Sequence, residues 1–198
     1  MIGTLPKSLI VNGSERAINC DWVTCYNIMA MLQDPNFEEY EKSYGMLDLL
    51  FVGGVNSFAE EELPEATEQA VAFLDGSFHR SACQDESTKK NESTKLIDWK
   101  QDESLIMSAI ISAIGHDIRN DPDMHWWTFL SFFTEIPATS TLSFIISIRE
   151  KVFKGKKPEA YEKDFIKKNK HLIYFNIQKE LTAEEKQARE DLKNLIGI

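Results

Sequence analysis

The stretch DPDMHWWTFLSFF, residues 121–133, decides how the rest of the chain is interpreted, because five of its last eight residues are aromatic. Four apolar side chains recur in it at intervals of three, four and seven residues, which places them on one face of an α-helix. They are Trp126, Phe129, Leu130 and Phe133. Core packing explains this face. Trp127 and Phe132 lie on flanking faces, so we expect this wider aromatic band either to pack into the core or to meet a partner protein.

Acidic and histidine side chains precede the aromatic residues and predict where the helix begins. Asp121 is the expected N-cap, Pro122 lies in the first turn, His125 follows in that turn, and the helix ends before Pro137. A metal site is the alternative, with His116, Asp117, Asp121, Asp123 and His125 as its candidate ligands. Acids at a helix start complement its exposed N–H groups, and the stretch lacks the glycine and glutamate of a calcium loop. We therefore assign no metal site here.

The first 76 residues predict a hairpin followed by three helices. Asn12-Gly13 separates two short runs suited to strands, which is a strong hairpin signal. Asp21 is the expected N-cap of the first helix, which ends at Asp34-Pro35. Leu63-Pro64 opens the third helix, and Asp75-Gly76 closes it. Six residues are expected on one face of the second helix: Phe37, Tyr40, Tyr44, Leu47, Leu50 and Phe51.

A polar segment then divides the chain. Residues 84–95 read QDESTKKNESTK and contain no apolar side chain, so residues 77–95 are predicted to form a flexible linker or loop. Residues 96–198 are predicted to form a helical region that packs with residues 1–76 as one unit. Its expected helices cover about 100–114, 121–136, 143–154, 158–175 and 182–196, the last one possessing a capping box at Thr182 to Glu185. The sequence thus predicts a mainly α-helical protein of about eight helices with a short N-terminal β-hairpin.

Composition limits the classes of protein to consider. The chain has 198 residues, is 42% hydrophobic and 27% charged, and carries no signal peptide or apolar run of membrane-spanning length. We therefore expect a soluble intracellular protein. Its three cysteines, Cys20, Cys25 and Cys83, show no Cys-x-x-Cys spacing, which argues against a disulfide framework or a zinc ribbon.

The net charge of −10 is unevenly distributed. Residues 1–76 carry thirteen acids and three bases, whereas residues 149–171 carry nine bases and four acids. An acidic chain is a poor general binder of nucleic acid, so no nucleic-acid partner is expected. The acidic end of one copy and the basic stretch of the next are candidates for a head-to-tail contact, with Lys156, Lys157, Lys167 and Lys168 as its basic side chains. Solvated helix faces are the simpler alternative.

Motifs of catalysis and cofactor binding are missing from the sequence. No Gly-rich phosphate loop, Gly-x-Ser-x-Gly elbow or His-Glu-x-x-His helix occurs, and the four histidines are scattered. We therefore expect neither catalytic residues nor a cofactor.

Three blocks of the chain resemble the bacteriophage gp-fifteen family, which is encoded in the tail modules of siphophages and prophages of Gram-positive bacteria. They are LPKSLIVNGSERAINCDW, IDWKQDESLIMSAIISAIGHDI, and HWWTFLSFF with the following IREKVFKGKK. The HWW-x-F block is the most specific, and the resemblance does not extend beyond about residue 175. It implies a non-enzymatic tail assembly chaperone that coats the tape measure protein, recruits tail tube protein and forms spiral or ring multimers. It also implies a location in the cytoplasm of the infected host and absence from the mature virion.

Two other functions stay open at this point. The first is a structural tail component, such as a connector or completion protein. The second is a small metal-dependent phage enzyme, which requires Asp121, Asp123 and His125 to converge with further acids.

Overall fold

The computed structural model describes residues 4–76 and 95–175, and these residues form eight α-helices and one antiparallel hairpin. The hairpin consists of β1 (Ser8–Val11) and β2 (Ser14–Ala17). The helices are α1 (Trp22–Leu32), α2 (Glu39–Leu50), α3 (Leu63–Leu74), α4 (Glu103–Ile114), α5 (Trp126–Thr134), α6 (Thr141–Phe153), α7 (Ala160–Lys168) and α8 (Lys170–Ile173). Short 3-10 turns cover Val55–Ser57, Glu60–Glu62 and Ile118–Asn120. The predicted mainly helical fold is confirmed.

The hairpin forms where the sequence predicts it. Asn12 and Gly13 take φ values of 49° and 71°, which are the left-handed conformations that a two-residue hairpin turn requires. The register pairs Val11 with Ser14 and Leu9 with Arg16. Leu9 and Val11 are buried, so the hairpin contributes one apolar face to the core.

The first and third helices form where the sequence predicts them, but the second is shorter than expected, because Phe37 lies before its N-cap Glu38 and Phe51 is its extended C-cap. The Asp21 carboxylate accepts a hydrogen bond from the Thr24 N–H at 2.8 Å and thereby caps α1. Helix α2 turns Met46, Leu47 and Leu50 inward. Tyr40 and Tyr44, which the sequence places on one face with Leu47 and Leu50, stay outside the core, since their side chains are 62% and 51% exposed.

The aromatic helix α5 begins four residues later than the sequence indicates, with its N-cap at His125 in place of Asp121. His125 is extended and forms an antiparallel bridge with Asp21 beside the start of α1: Trp22 N–H donates to Met124 O at 2.8 Å, and Trp126 N–H donates to Cys20 O at 2.7 Å. This pairing keeps Asp121 and Pro122 in a turn outside the helix, and His125 is the N-cap in place of Asp121. The predicted helix start was therefore wrong by four residues, although its aromatic face was right.

The basic region after α6 is broken into two helices. Gly155, with φ of 66°, ends the turn after α6 as predicted. The single helix predicted for 158–175 is wrong, since Asn169 leaves helical geometry with φ of −128° and ψ of 42° and separates α7 from α8. The linker predicted at 77–95, except Lys95, and the helix predicted at 182–196 lie outside the described residues, so the proposed domain boundaries stay predictions.

The main core joins residues from both sides of the segment 77–94. Tyr26 of α1 donates its hydroxyl to Trp99 O at 2.6 Å, and the two rings meet edge to face with centroids 5.2 Å apart. Gln33 at the end of α1 also bonds the backbone of Ile97 and Trp99. A second, smaller cluster lies between α6 and α8 and is built on Ile145, Ile148 and Ile173. No helix among the described residues is long and apolar enough to cross a membrane.

Candidate interaction surfaces

The two adjacent tryptophans bind the end of a neighbouring helix. Trp126 Nε1 donates to Leu74 O at 2.8 Å, and Trp127 Nε1 donates to Phe73 O at 2.9 Å. Both carbonyls belong to the last turn of α3, where carbonyl groups lack partners within the helix, and the Phe73 carbonyl also accepts the Gly76 N–H at 3.1 Å. The HWW block therefore fixes the angle between α5 and α3 through hydrogen bonds as well as through ring packing.

The flanking aromatic side chains lie in different environments. Trp127 is 8% exposed and stacks on Phe73 with ring centroids 5.5 Å apart, so most of its ring belongs to the core of this chain. Phe132 is half-buried and packs against the same core. Contact of either residue with a partner protein stays a prediction.

His125 has a structural role that sequence reasoning missed. Its Nδ1 accepts the Trp127 N–H at 3.1 Å, and its Nε2 lies 2.8 Å from Pro6 O, to which it donates in the neutral Nε2–H tautomer. Burial lowers the pKa of His125, which favours this neutral form. The imidazole thus caps α5 and ties the segment before β1 to it. The sequence gives no signal that His125 caps α5, because histidine is an uncommon N-cap.

The side chains of two of the five candidate metal ligands, Asp117 and His125, have other partners. Asp117 binds Arg119, with Oδ2 and Nη2 2.6 Å apart, and these hydrogen bonds lower the pKa of Asp117 to about 2. Asp121 presents its carbonyl to Trp22 Nε1 at 2.9 Å, and His125 bonds Pro6 as described above. Within residues 4–76 and 95–175, no three His, Cys, Asp or Glu side chains are grouped closely enough to hold a metal ion.

A buried ion pair joins the start of α4 to the middle of α6. Arg149 donates to Asp102 through Nη1 at 2.5 Å and Nη2 at 2.8 Å, and the two side chains are 0% and 1% exposed. Its remaining donors bind Leu96 O at 2.9 Å and Leu172 O at 2.7 and 3.1 Å. All five guanidinium N–H donors therefore have acceptors. The sequence does contain a signal for this burial, because Arg149 has helical spacing with Ile145, Ile148 and Val152.

The four lysines predicted to mediate self-association are all exposed. Lys156 and Lys157 lie between α6 and α7, and Lys167 and Lys168 form the last turn of α7. Among the described residues, none of them belongs to an ion pair. Their neighbour Lys151 instead binds the buried Glu162 at 2.6 Å, and this hydrogen bond lowers the pKa of Glu162. Self-association through these lysines stays a prediction.

A groove runs between α1 and α4. A cavity of about 320 Å³ is lined mainly by apolar side chains, including Val23, Ala30, Met31 and Met107. It shares Lys100, Glu103 and Met107 with a second, more polar depression of about 610 Å³ along the outer face of α4. Methionine side chains adapt their shape to a partner, and short side chains such as Ser104 and Ser108 leave room beside them. The geometry suits an apolar helix lying along α4.

Several large apolar side chains lie outside the core. Their exposed fractions range from 42% to 63%, and they are Ile10, Tyr40, Tyr44, Leu49, Val52, Val71, Tyr161 and Tyr174. They are spread over both ends of the described chain and do not form one patch on one element. Single exposed apolar residues are normal on protein surfaces. The groove between α1 and α4 and the depression along α4 are therefore stronger candidates for binding than these residues.

Comparison with known proteins gives one family. The family model described as "Bacteriophage Gp15 protein" matches residues 1–175. The match covers all of the described residues and stops before the C-terminal 23 residues. No curated protein and no solved structure matches the chain.

Proposed function

Since this chain belongs to the bacteriophage Gp15 family, we propose that it is a non-enzymatic tail assembly chaperone for a siphophage tail. In this role it binds the tape measure protein, keeps it soluble and helps to recruit tail tube protein. The family match over residues 1–175 is the main support for the proposal, because the resemblance of this chain to the family implies this role. The protein acts in the cytoplasm of the infected host and is left out of the finished virion.

The groove between α1 and α4 is the binding site that best suits this role. A tape measure protein is a long helical chain with apolar faces, and an amphipathic helix is recognised by laying its apolar face into an apolar groove. Met31 and Met107 supply adaptable apolar contacts in the groove, and Lys100 and Glu103 lie at its rim. A chaperone must accept many successive segments of one long partner, and adaptable methionine contacts permit that.

A substitution in the groove tests this assignment. Asn27 is exposed and lines the groove, so Asn27→Arg places a charge where an apolar helix face would lie. Co-expressed with the tape measure protein of the same phage, this variant should retain less of that protein on affinity purification than the wild type.

Ser147→Arg is the matched control, since Ser147 is exposed on α6, away from the groove, and gains the same charge. If both variants retain the tape measure protein as well as the wild type does, the groove is not its binding site. If the wild type retains none, the chaperone role itself is contradicted.

A structural tail component is the second candidate for a member of this phage family. It differs from a chaperone in its final location. Detection of the chain in purified virions, in stoichiometric amounts, would favour the structural role over the chaperone role.

A further inference from the structure

The outer edge of β1 faces a groove next to α3. In the antiparallel hairpin, Leu9 and Val11 exchange backbone hydrogen bonds with β2, and Ile18 N–H donates to Lys7 O at 3.0 Å on the same side. The backbone groups of the alternate residues, Ser8 and Ile10, therefore point away from β2. Asn12 follows the same alternation, and its N–H donates to Glu65 Oε2 of α3 at 3.0 Å.

This groove has an apolar floor and a single acidic side chain at its rim. Its volume is about 440 Å³, within the range of ordinary ligand pockets. Leu5, Pro6, Leu9 and Trp127 supply apolar surface, and Glu65 stands on the α3 side. Ile10, which is 54% exposed, adds further apolar surface at the edge.

We infer that this groove binds an extended peptide with alternating apolar and basic residues, which adds as a third strand to the edge of β1. Strand addition supplies affinity through backbone hydrogen bonds and specificity through side chains that alternate between pockets. Here Ser8 and Ile10 offer the N–H and C=O groups, and the apolar floor takes every second side chain. A tape measure helix cannot use these edge groups, because the backbone hydrogen bonds of a helix are internal, so the site is separate from the groove between α1 and α4.

Charge complementarity selects a basic peptide. Glu65 lines the groove, and residues 1–76 carry a net charge of −10 from thirteen acids and three bases. Side chains of the added strand that do not rest on the floor lie in this negative field, which favours lysine or arginine there.

The first test uses a labelled probe peptide, acetyl-Lys-Val-Lys-Val-Lys-Val-amide, and fluorescence anisotropy with the full chain. We expect saturable binding. A peptide with glutamate in place of lysine should bind at least tenfold more weakly. The same basic peptide with N-methyl groups on alternate backbone nitrogens should also bind at least tenfold more weakly, because it cannot complete the strand pairing.

Two variants test whether the peptide binds in the groove. Ile10→Pro removes one outward N–H without touching the ladder to β2, a position where an edge strand tolerates proline. It should weaken binding about tenfold, as expected for loss of a backbone hydrogen bond. Glu65→Gln keeps an acceptor for Asn12 N–H but removes the charge, and it should weaken binding of the basic peptide at low salt. Glu68→Gln is its control, since Glu68 is exposed on α3 and does not line the groove.

Three outcomes would overturn the inference. The first is an absence of peptide binding, or binding that both Ile10→Pro and Glu65→Gln leave unchanged. The second is binding that emerges only after removal of residues 1–3, which would identify the chain's own start as the occupant. The third is dimerisation in sedimentation that Ile10→Pro abolishes, which would identify a second copy of β1 as the occupant. If Ile10→Pro still retains the tape measure protein, a failure of peptide binding at β1 does not count against the chaperone role.

Discussion

Arg149 and Asp102 connect four separate parts of the chain. They join α4 to α6, and Arg149 also holds Leu96, just after the segment 77–94, and Leu172 in α8. Burying two charges is costly, and the cost is offset only when each charge finds its opposite and its remaining hydrogen bonds are made. That condition is met here, since Asp102 also accepts the Asp98 N–H at 2.9 Å.

Removing one member of this pair should be strongly destabilising. Arg149→Met keeps the length of the side chain but leaves the buried Asp102 carboxylate without its counter-charge. We expect the free energy of unfolding, measured in urea, to fall by about 3–5 kcal/mol.

The exposed pair of Lys154 and Glu150 supplies the control. Lys154→Met breaks an ion pair whose side chains are 49% and 43% exposed, and it should cost less than about 1 kcal/mol. Equal losses for Arg149→Met and Lys154→Met would contradict the structural role assigned to Arg149.

His125 should make stability depend on pH near neutrality. Burial lowers its pKa in the folded chain below the ordinary value of 6.5, so the unfolded chain binds the proton first. The stabilisation of the folded chain by neutral His125 is complete above pH 6.5 and is lost as the pH falls through the pKa of His125 in the folded chain. Urea unfolding at a series of pH values between about 7.5 and 5.5 should therefore show stability decreasing toward acid.

His125→Asn separates this effect from other titrations. Asparagine is a good N-cap, so the cap to Trp127 N–H is kept, whereas the bond to Pro6 and the titrating group are lost. The variant should be less stable at neutral pH and its stability should change less with pH over that range. Buried or bonded carboxylates such as Glu162 contribute only at lower pH, because their pKa lies below 4.5. An unchanged pH slope in His125→Asn would exclude His125 as the cause.

At the scale of elements, the hydrogen bonds from α5 to the end of α3 can be tested directly. Trp127→Phe keeps an aromatic ring against Phe73 but leaves the Phe73 carbonyl without the indole donor. Thermal unfolding should report a loss of about 1–2 kcal/mol from the lost indole hydrogen bond and the smaller ring, since the Phe73 carbonyl still accepts the Gly76 N–H. Val71→Ala on the exposed side of α3 is the control, and an equal loss there would show that the indole bond contributes little.

The sequence predicts most elements because local signals place them. Asn12-Gly13 determines the hairpin, Asp21 the start of α1, and Gly115, with φ of 81°, the end of α4. The failures have non-local causes. Helix α5 starts late because residues 124–126 pair with residues 20–22, more than a hundred positions away in sequence. Tyr40 and Tyr44 have helical spacing with the buried Leu47, so their spacing gives no sign that they are exposed.

The candidate sites are less predictable than the fold. Trp127 was selected as a contact residue on its type, but its indole is bound inside the chain. Met31 and Met107 both line the groove between α1 and α4 although they are 76 positions apart in sequence, and no local sequence pattern predicts that they meet. The position of Glu65 beside β1 likewise depends on where α3 lies relative to the hairpin.

At the scale of the whole molecule, the uneven charge predicts electrostatic self-association. The exposed Lys156, Lys157, Lys167 and Lys168 can meet the acidic first 76 residues of another copy. Changing all four to glutamate should reduce the sedimentation coefficient at low salt, and the wild type should shift in the same direction as salt is added.

A charge-swapped partner provides the control for that prediction. A variant with Glu60, Glu61 and Glu68 changed to lysine should associate with the four-glutamate variant when the two are mixed. If sedimentation of the four-glutamate variant at low salt equals that of the wild type, association through these lysines is excluded.

A tail assembly chaperone keeps a long apolar partner soluble. The most direct measurement is the soluble fraction of the tape measure protein of the same phage, expressed alone and together with this chain at matched levels. The chaperone account predicts that the tape measure protein is mostly insoluble alone and becomes soluble, and co-purifies, when this chain is present. A soluble fraction that is the same with and without this chain would contradict the account.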